Sequence, residues 1–462
     1  MSTRFDAIYE RLLLLSWFFS LLEIALHMPM VSFLTPYKIF LALLGLLILL
    51  RVFLQGMPFV RDFLHSLKVS LVPVRWAMLP VGLYLVFDLI SFLWTGDIRF
   101  ALSKYVTIIS MLAILVATAY YMQRIYPELP KRTKMQRLLF TIGMTGIATA
   151  LYTLVYLLFN GGMTYYTRRF SMIEDYNQFS AVPLFSYLAM LLYLHRTEKK
   201  DLHRLLLLLG STVLCVSSVW LSGSRRTFYL MLACLAVAFA LEFILMLAKK
   251  EPRRVILRYL VTLGLAAVIT LGLNQLYTTG TTKQYNEMVE DNQDILQVVG
   301  ARTVEEILTD THAFSKRETI WSIAIDGYLD LPLTGKLFGG GASYHADIYD
   351  TPENKPVIER MYWRDLPDHY MNPHNFVLVD LLSGGIVKTA LMLLSLLGTL
   401  LSLLMITKKR PAELVYFLLL AFFALGNIFI SSKFGYLNDK FVWSVLILLM
   451  ALAAEERVRH LH

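Results

Sequence analysis

Apolar runs of about 18 to 25 residues recur along nearly the whole chain. Nothing constrains the fold more tightly. In hydrocarbon every backbone N–H and C=O needs an internal partner, so runs of this length fold as membrane-spanning α-helices. They fall at residues 12–33, 37–54, 76–94, 103–121, 137–159 and 179–194, then at 203–221, 227–247, 255–276, 374–406, 413–430 and 441–454, about twelve in all. Composition agrees: 57% of residues are hydrophobic and 17% charged, against about half apolar and a quarter charged in soluble domains. The expected fold is all-α and polytopic. Residues 1–276 would hold transmembrane helices 1–9, residues 277–372 one large, mostly helical extracytoplasmic loop, and residues 373–462 transmembrane helices 10–12. The first run is too long for a signal-peptide core and no small-residue cleavage site follows it, so it reads as the first span. Cys215 and Cys234 both fall inside spans, which points to packing and suggests neither a disulfide framework nor a metal site.

Basic residues collect on the cytoplasmic side of membrane proteins. With the N-terminus inside, Arg4 to Arg11, Arg51 to Lys68, Arg124 to Arg137, Arg196 to Arg204, Lys249 to Arg258, Lys408 to Arg410 and Arg457 to Arg459 all become cytoplasmic. Both termini then lie in the cytoplasm and the long polar segment lies outside. This topology also accounts for the net charge of +9, so no nucleic-acid partner is implied.

Two adjacent arginine pairs break the pattern on the outer side, Arg168-Arg169 and Arg225-Arg226. Ser222-Gly223-Ser224 reads as the cap of a helix whose first turn carries Arg225 and Arg226. Ser315-Lys316-Arg317-Glu318 reads as a capping box, again with a basic pair in the first turn. Cations at a helix N-terminus oppose the macrodipole. A bound anion reverses the sign, because amides and guanidinium groups then face the same negative charge. Each pair alone reads more simply as a snorkelling or lipid-facing arginine; together they suggest an outward site for phosphate or diphosphate.

The long polar segment ends at Asn372-Pro373-His374-Asn375. Asn372 suits an N-cap and Pro373 a first helical position, which would put His374 and Asn375 in the first turn of a span. The positive helix end favours neutral imidazole there, so His374 is a candidate general base. An interfacial histidine that bonds a loop carbonyl is the alternative. Within the spans, Glu23 and His27 lie four apart on one helical face, and Asp88 lies in the third span. Intramembrane ionisable groups are functional candidates, but nothing ties these to the outer face and a structural pair is the favoured reading. In the outer segment, 283–298 and 303–308 have the pattern of surface helices. Residues 315–329 place Ile320, Trp321, Ala324 and Tyr328 near one face. Gly339-Gly340-Gly341 reads as a flexible turn, and 351–368 as a lid or a plain surface loop.

Four ordered segments resemble the O-antigen ligase and polymerase superfamily of bacterial membrane glycosyltransferases. They are Arg169-Phe170 through Asp175-Tyr176-Asn177-Gln178-Phe179-Ser180-Ala181, then Ser222-Gly223-Ser224-Arg225, then Arg317-Glu318-Thr319-Ile320-Trp321 with Pro332-Leu333-Thr334-Gly335 and Phe338-Gly339-Gly340-Gly341, and last His374-Asn375 with Leu378 and Ser383-Gly384-Gly385. Arg226 stands where the family often has a small residue, and Gly384-Gly385 replaces an acidic-glycine pair. The resemblance implies a GT-C-like helical bundle in the bacterial cytoplasmic membrane. It also implies transfer of a glycan from an undecaprenyl-diphosphate carrier to an acceptor hydroxyl, with no metal and no cofactor. On that basis Arg225 and Arg317 would hold the diphosphate, with Arg169 assisting and Arg168 and Arg226 as further candidates. His374 would be the base, and Asn375, Ser224, Asn177 and Asp175 would support the site.

The implied partners are an undecaprenyl-diphosphate-linked oligosaccharide, membrane lipid, and a glycan acceptor: a growing polymer, lipid A core sugar or a protein hydroxyl. A lipid-linked glycan transporter or flippase is the alternative class. It would be expected to place charges near mid-bilayer and to show repeat symmetry, whereas here the distinctive charges cluster at the outer face. A peptidoglycan polymerase with a comparable bundle would lack the histidine-asparagine pattern.

Overall fold

The computed structural model describes residues 2–26, 35–159, 171, 173, 175–197, 202–248, 260, 264, 267, 268, 271, 272, 312–362, 365–408, 410–431 and 435–456. Every regular element among them is helical. In chain order these are α1 (Ser2–Ala25), α2 (Pro36–Gln55), α3 (Met57–Leu71), α4 (Arg75–Ile90), α5 (Ile98–Arg124), α6 (Lys131–Phe159), α7 (Tyr176–Arg196), α8 (Leu202–Leu221) and α9 (Arg225–Ala248). After them come α10 (His312–Leu329), α11 (Leu333–Phe338), α12 (Tyr344–Asp347), α13 (Lys355–Tyr362), α14 (Phe376–Thr407), α15 (Pro411–Ser431) and α16 (Lys440–Glu456).

Among the described residues, nine helical stretches are long and apolar enough to cross a membrane. One of them, Met57–Trp94, joins α3 and α4 through a 3-10 turn at Val72–Val74, so residues expected to form a basic loop are helical. The difference from twelve has local causes. α1 carries Glu10, Arg11 and Glu23, α16 is 17 residues long, and most of 255–276 lies outside the described residues. The proposed surface helices at 283–298 and 303–308, His27, Arg168 and Arg169 lie outside them too.

Two compact units form, each assembled from separated pieces of chain. The first comprises Met1–Gln55, Ile125–Leu308 and Thr407–Phe423. Its centre is α6 against α7, which approach closely where Gly143 lies over Met190 and Gly146 over Ser186 and Cys215. Burial of Arg196 is matched by Glu413, its Nη1 lying 2.6 Å from Oε2, because an unpaired charge there would be costly. Cys215 and Cys234 are both buried thiols.

The second unit comprises Gly56–Arg124, Thr309–Ile406 and Ala424–His462. Besides its spans it holds α10 and three short helices, α11 to α13, around a small core of Ile320, Ala324, Ile348, Tyr349, Ile358, Leu366, Met371 and Leu382. Ile320 and Ala324 are buried as their spacing predicts, with Trp321 and Tyr328 at the edge of this core. Residues 351–368, read from sequence as a lid or a loop, contain α13 and place Ile358 and Leu366 in the core. Lys355 donates to Asp368 Oδ1 at 2.6 Å across this excursion.

His345 lies on α12 and is buried. Burial, reinforced by Lys104 and Lys388, pushes its imidazole from 6.5 down to about 3. The fold therefore excludes a proton that the unfolded chain accepts between these values. This contribution to stability is complete above 6.5 and is lost as pH falls towards 3. Acidification from pH 7 to pH 5 should cost roughly 2 kcal/mol from this residue. Thermal unfolding of the detergent-solubilised protein at the two pH values should show the loss, and H345Q should shrink it.

Candidate functional site

Each unit brings together one set of the residues singled out in the sequence. In the first, Asp175 caps α7, its carboxylate accepting from the backbone N–H groups of Asn177 and Gln178 at 3.2 Å each. Ser224 precedes α9 and accepts from the Thr227 N–H at 3.3 Å, the bond expected of an N-cap. The same hydroxyl donates to Asn177 Oδ1 at 2.7 Å, and Ser180 donates to Thr227 Oγ1 at 2.7 Å. Two segments 47 residues apart in sequence are thus joined by their own polar side chains. Arg225 and Arg226 take the first two positions of α9. They part there: Arg226 is only 7% exposed, whereas Arg225 is half-buried.

In the second unit, the chain is already helical at His312, upstream of the expected capping box. Ser315 and Glu318 therefore lie within the helix, and Arg317 lies more than a turn inside it, away from any free N-terminal amides. Its use to an anion rests on the guanidinium itself. Trp321 sits one turn along the same face, i and i+4 from Arg317, and its indole N–H donates to the Pro373 carbonyl at 2.8 Å. The arginine helix is thereby tied to the residue before His374.

The histidine turn also differs from expectation. The helix starts at Phe376, not at Pro373, and its cap is Asn375, whose Oδ1 accepts from Val377 N–H at 2.9 Å and Leu378 N–H at 3.4 Å. Asn372 instead accepts from the His374 N–H at 3.0 Å, closing a short turn. His374 adopts φ 49°, left-handed backbone that an asparagine-bounded turn enforces. It stands just outside the helix it was expected to enter. Two asparagines competed for one cap, and the side chain nearest the first apolar turn took it. Replacing Asn375 with alanine should lower stability by about 1 kcal/mol in thermal or denaturant unfolding, with serine retaining most of it.

The glycine triplet is a packing device. Gly339 and Gly341 have φ 77° and 106°, and Cβ atoms there would strike backbone of 383–384 and of 94–95 respectively. Gly340 N–H donates to the Leu382 carbonyl at 2.8 Å. No phosphate cradle is needed to explain these residues.

Sequence reading missed two clusters in this unit. One is a buried ion group: Lys388 pairs with Asp88 and lies 3.8 Å from Asp380, while Tyr84 donates to Asp380 at 2.7 Å. Asp88 was noticed in the sequence without its partner. Lysine and aspartate inside one predicted span were the available signal, but 300 residues separate Lys388 from Asp88. The other cluster surrounds His369, whose Nε2 lies 2.9 Å from Asp347 Oδ1 and whose Nδ1 lies 3.8 Å from Asp97 Oδ2. His369 stacks on Phe100 at 4.5 Å, and Ser343 donates to the other oxygen of Asp347 at 2.6 Å. The backbone N–H of Phe100 is the main cause holding the Asp97 carboxyl below its ordinary value. Among the described residues no cluster of His, Cys, Asp and Glu has the makings of a metal site.

Nine stretches long and apolar enough to cross a membrane, among described residues whose regular elements are all helical, define a multi-pass membrane protein. Residues 210–393 match the family model described as O-antigen ligase. That match supports the O-antigen ligase and polymerase superfamily, polysaccharide biosynthesis at a membrane, and an enzyme of the glycosyltransferase type. It spans the Ser224–Arg225 cap, the Arg317 helix and the His374–Asn375 turn. No curated protein matches the chain.

Proposed function

We propose that this protein transfers a glycan from an undecaprenyl-diphosphate carrier to an acceptor hydroxyl at the outer face of the bacterial cytoplasmic membrane. It acts as an O-antigen or surface-polysaccharide polymerase or as an O-antigen ligase. The Trp321–Pro373 hydrogen bond carries this reading, because it sets the Arg317 helix against the His374 turn. Both termini are cytoplasmic, about twelve helices cross the membrane, and the segment 277–372 faces outward.

Arg225 and Arg317 hold the diphosphate, with Arg169 assisting. Arg225 is favoured over Arg226 by its exposure, and Arg168 is a further candidate beside Arg169. Guanidinium groups match the geometry of phosphate oxygens and neutralise their charge, which makes the diphosphate a good leaving group. The acceptor oxygen forms a bond to the anomeric carbon as the bond from that carbon to the diphosphate oxygen breaks. The electron pair leaves with the diphosphate and the hydroxyl proton passes to His374. Asn372 closes the turn that carries His374 and Asn375 caps the helix that follows it, while Asp175, Asn177 and Ser224 order the helix start that carries Arg225.

Purified protein incubated with an undecaprenyl-diphosphate-linked repeat and resolved on a gel tests the reading. A ladder without added acceptor identifies a polymerase, and a single shift that requires core lipid identifies a ligase. Neither product from folded protein with both substrates present would remove the proposal.

A further inference from the structure

A helix that breaks inside a membrane must find new partners for the backbone groups it frees. α14 breaks at Gly385, where φ is 64° and ψ −161°. The freed Leu382 carbonyl accepts from Gly340 N–H at 2.8 Å, and the Gly385 carbonyl accepts from the Thr389 hydroxyl at 2.9 Å. Side chains then span the break. Lys388, below it, runs its stem over Gly384, where a Cβ would collide with that stem, and donates to Ser383 Oγ at 3.1 Å. The same ammonium pairs with Asp88 on α4 and lies 3.8 Å from Asp380, one turn above the break. Asp380 in turn accepts from Tyr84 of α4 at 2.7 Å and from the Tyr436 N–H at 3.4 Å.

All three charged residues are buried, with Asp380 fully so. Charges held this deeply persist where they are paired, and they fix geometry more than they add stability. Here they clamp the segment Phe376–Gly384 to the lower half of α14, to α4 and to the Tyr436 turn. That segment begins with the Asn375 cap and the His374 turn. We infer that Asp88, Lys388 and Asp380 are positioning residues for transfer, setting the height and rotation of the helix start that adjoins the His374 turn. The inference rests on the proposed function for its kinetic consequence, but not for its mechanical one.

The test uses the full chain in detergent or nanodiscs. In D88N/K388M both members of the direct pair become neutral, while Asp380 keeps its hydrogen bonds from the Tyr84 hydroxyl and the Tyr436 N–H. The variant is expected to fold, to keep the donor KM within about threefold, and to lose about tenfold to a hundredfold in kcat, the scale of a small misplacement of reacting groups. K388R, which retains the charge, should keep a higher kcat than K388M. Hydrogen exchange of peptides covering 374–385 should rise about tenfold or more in D88N/K388M, while peptides from α16 stay unchanged. Should that variant not fold, D380N carries the same measurements, because its amide keeps the shape and removes the charge.

Unchanged exchange at 374–385 overturns the inference whatever the activity. So does a kcat within threefold of the parent in an assay where H374A is inactive, or a donor KM that rises in step with the fall in kcat. An inactive parent protein or a fully active H374A would instead remove the proposed function, and the exchange result would still decide this inference.

Discussion

On the proposed mechanism, H374A is expected to abolish glycan transfer while the protein still folds and binds the proposed lipid-linked donor. General-base catalysis contributes about 10²–10⁴-fold, equivalent to roughly 3–5 kcal/mol in the barrier. The loss should appear in kcat under single-turnover conditions, with donor KM little changed, because the proton moves only as the acceptor attacks. The backbone adds a control. His374 sits at φ 49°, a conformation that costs alanine about 1 kcal/mol and that asparagine tolerates better. H374N should therefore be the more stable variant and equally inactive. Activity in H374N would show that the turn matters and the imidazole does not. Melting temperature and donor binding measured beside kcat separate these outcomes.

Arg225 and Arg317 should each be intolerant of lysine. The substitution keeps the charge and loses the planar fork that engages two phosphate oxygens together. We expect losses of about tenfold to a hundredfold for R225K and R317K, and about 10²–10³-fold for the alanine variants, the scale of removing one preorganised charge-stabilising donor. Part of the effect should fall on donor KM, since the diphosphate is charged before transfer as well as during it. Arg226 gives the contrast. It is buried beside Arg225, so R226A should act first through stability, lowering the melting temperature. Equal kinetic losses for R225K and R226K with unchanged stability would reverse the assignment of the two residues.

The arginine readings also show how far a local pattern carries. At α9 the sequence Ser-Gly-Ser before an apolar run was sufficient, because a cap is decided by the few residues around it, and Ser224 bonds Thr227 as that rule requires. At α10 the same rule misled. Ser315-Lys316-Arg317-Glu318 has the spacing of a capping box, yet the chain is already helical at His312 and carries these residues inside the helix. Nothing in a four-residue motif prevents a helix from propagating through it, since each further residue costs little once a nucleus exists. At α14 two asparagines were each competent, and the choice of Asn375 fell to the turn that Asn372 closes on His374.

Sequence by itself determined that the chain is helical and membrane-spanning, because length and apolarity of a run are local quantities that the bilayer tests directly. It also marked Asn177, Ser224, Arg225, Arg317 and His374 as chemistry without a purely local purpose. What tertiary structure decided was pairing across distance: Ser224 with Asn177, Trp321 with Pro373, the Gly339–Gly341 turn with the broken α14, and Lys388 with Asp88 and Asp380. A buried charge or a helix break reveals that a partner is needed. Its identity depends on which distant element packs there, and only the folded chain supplies that.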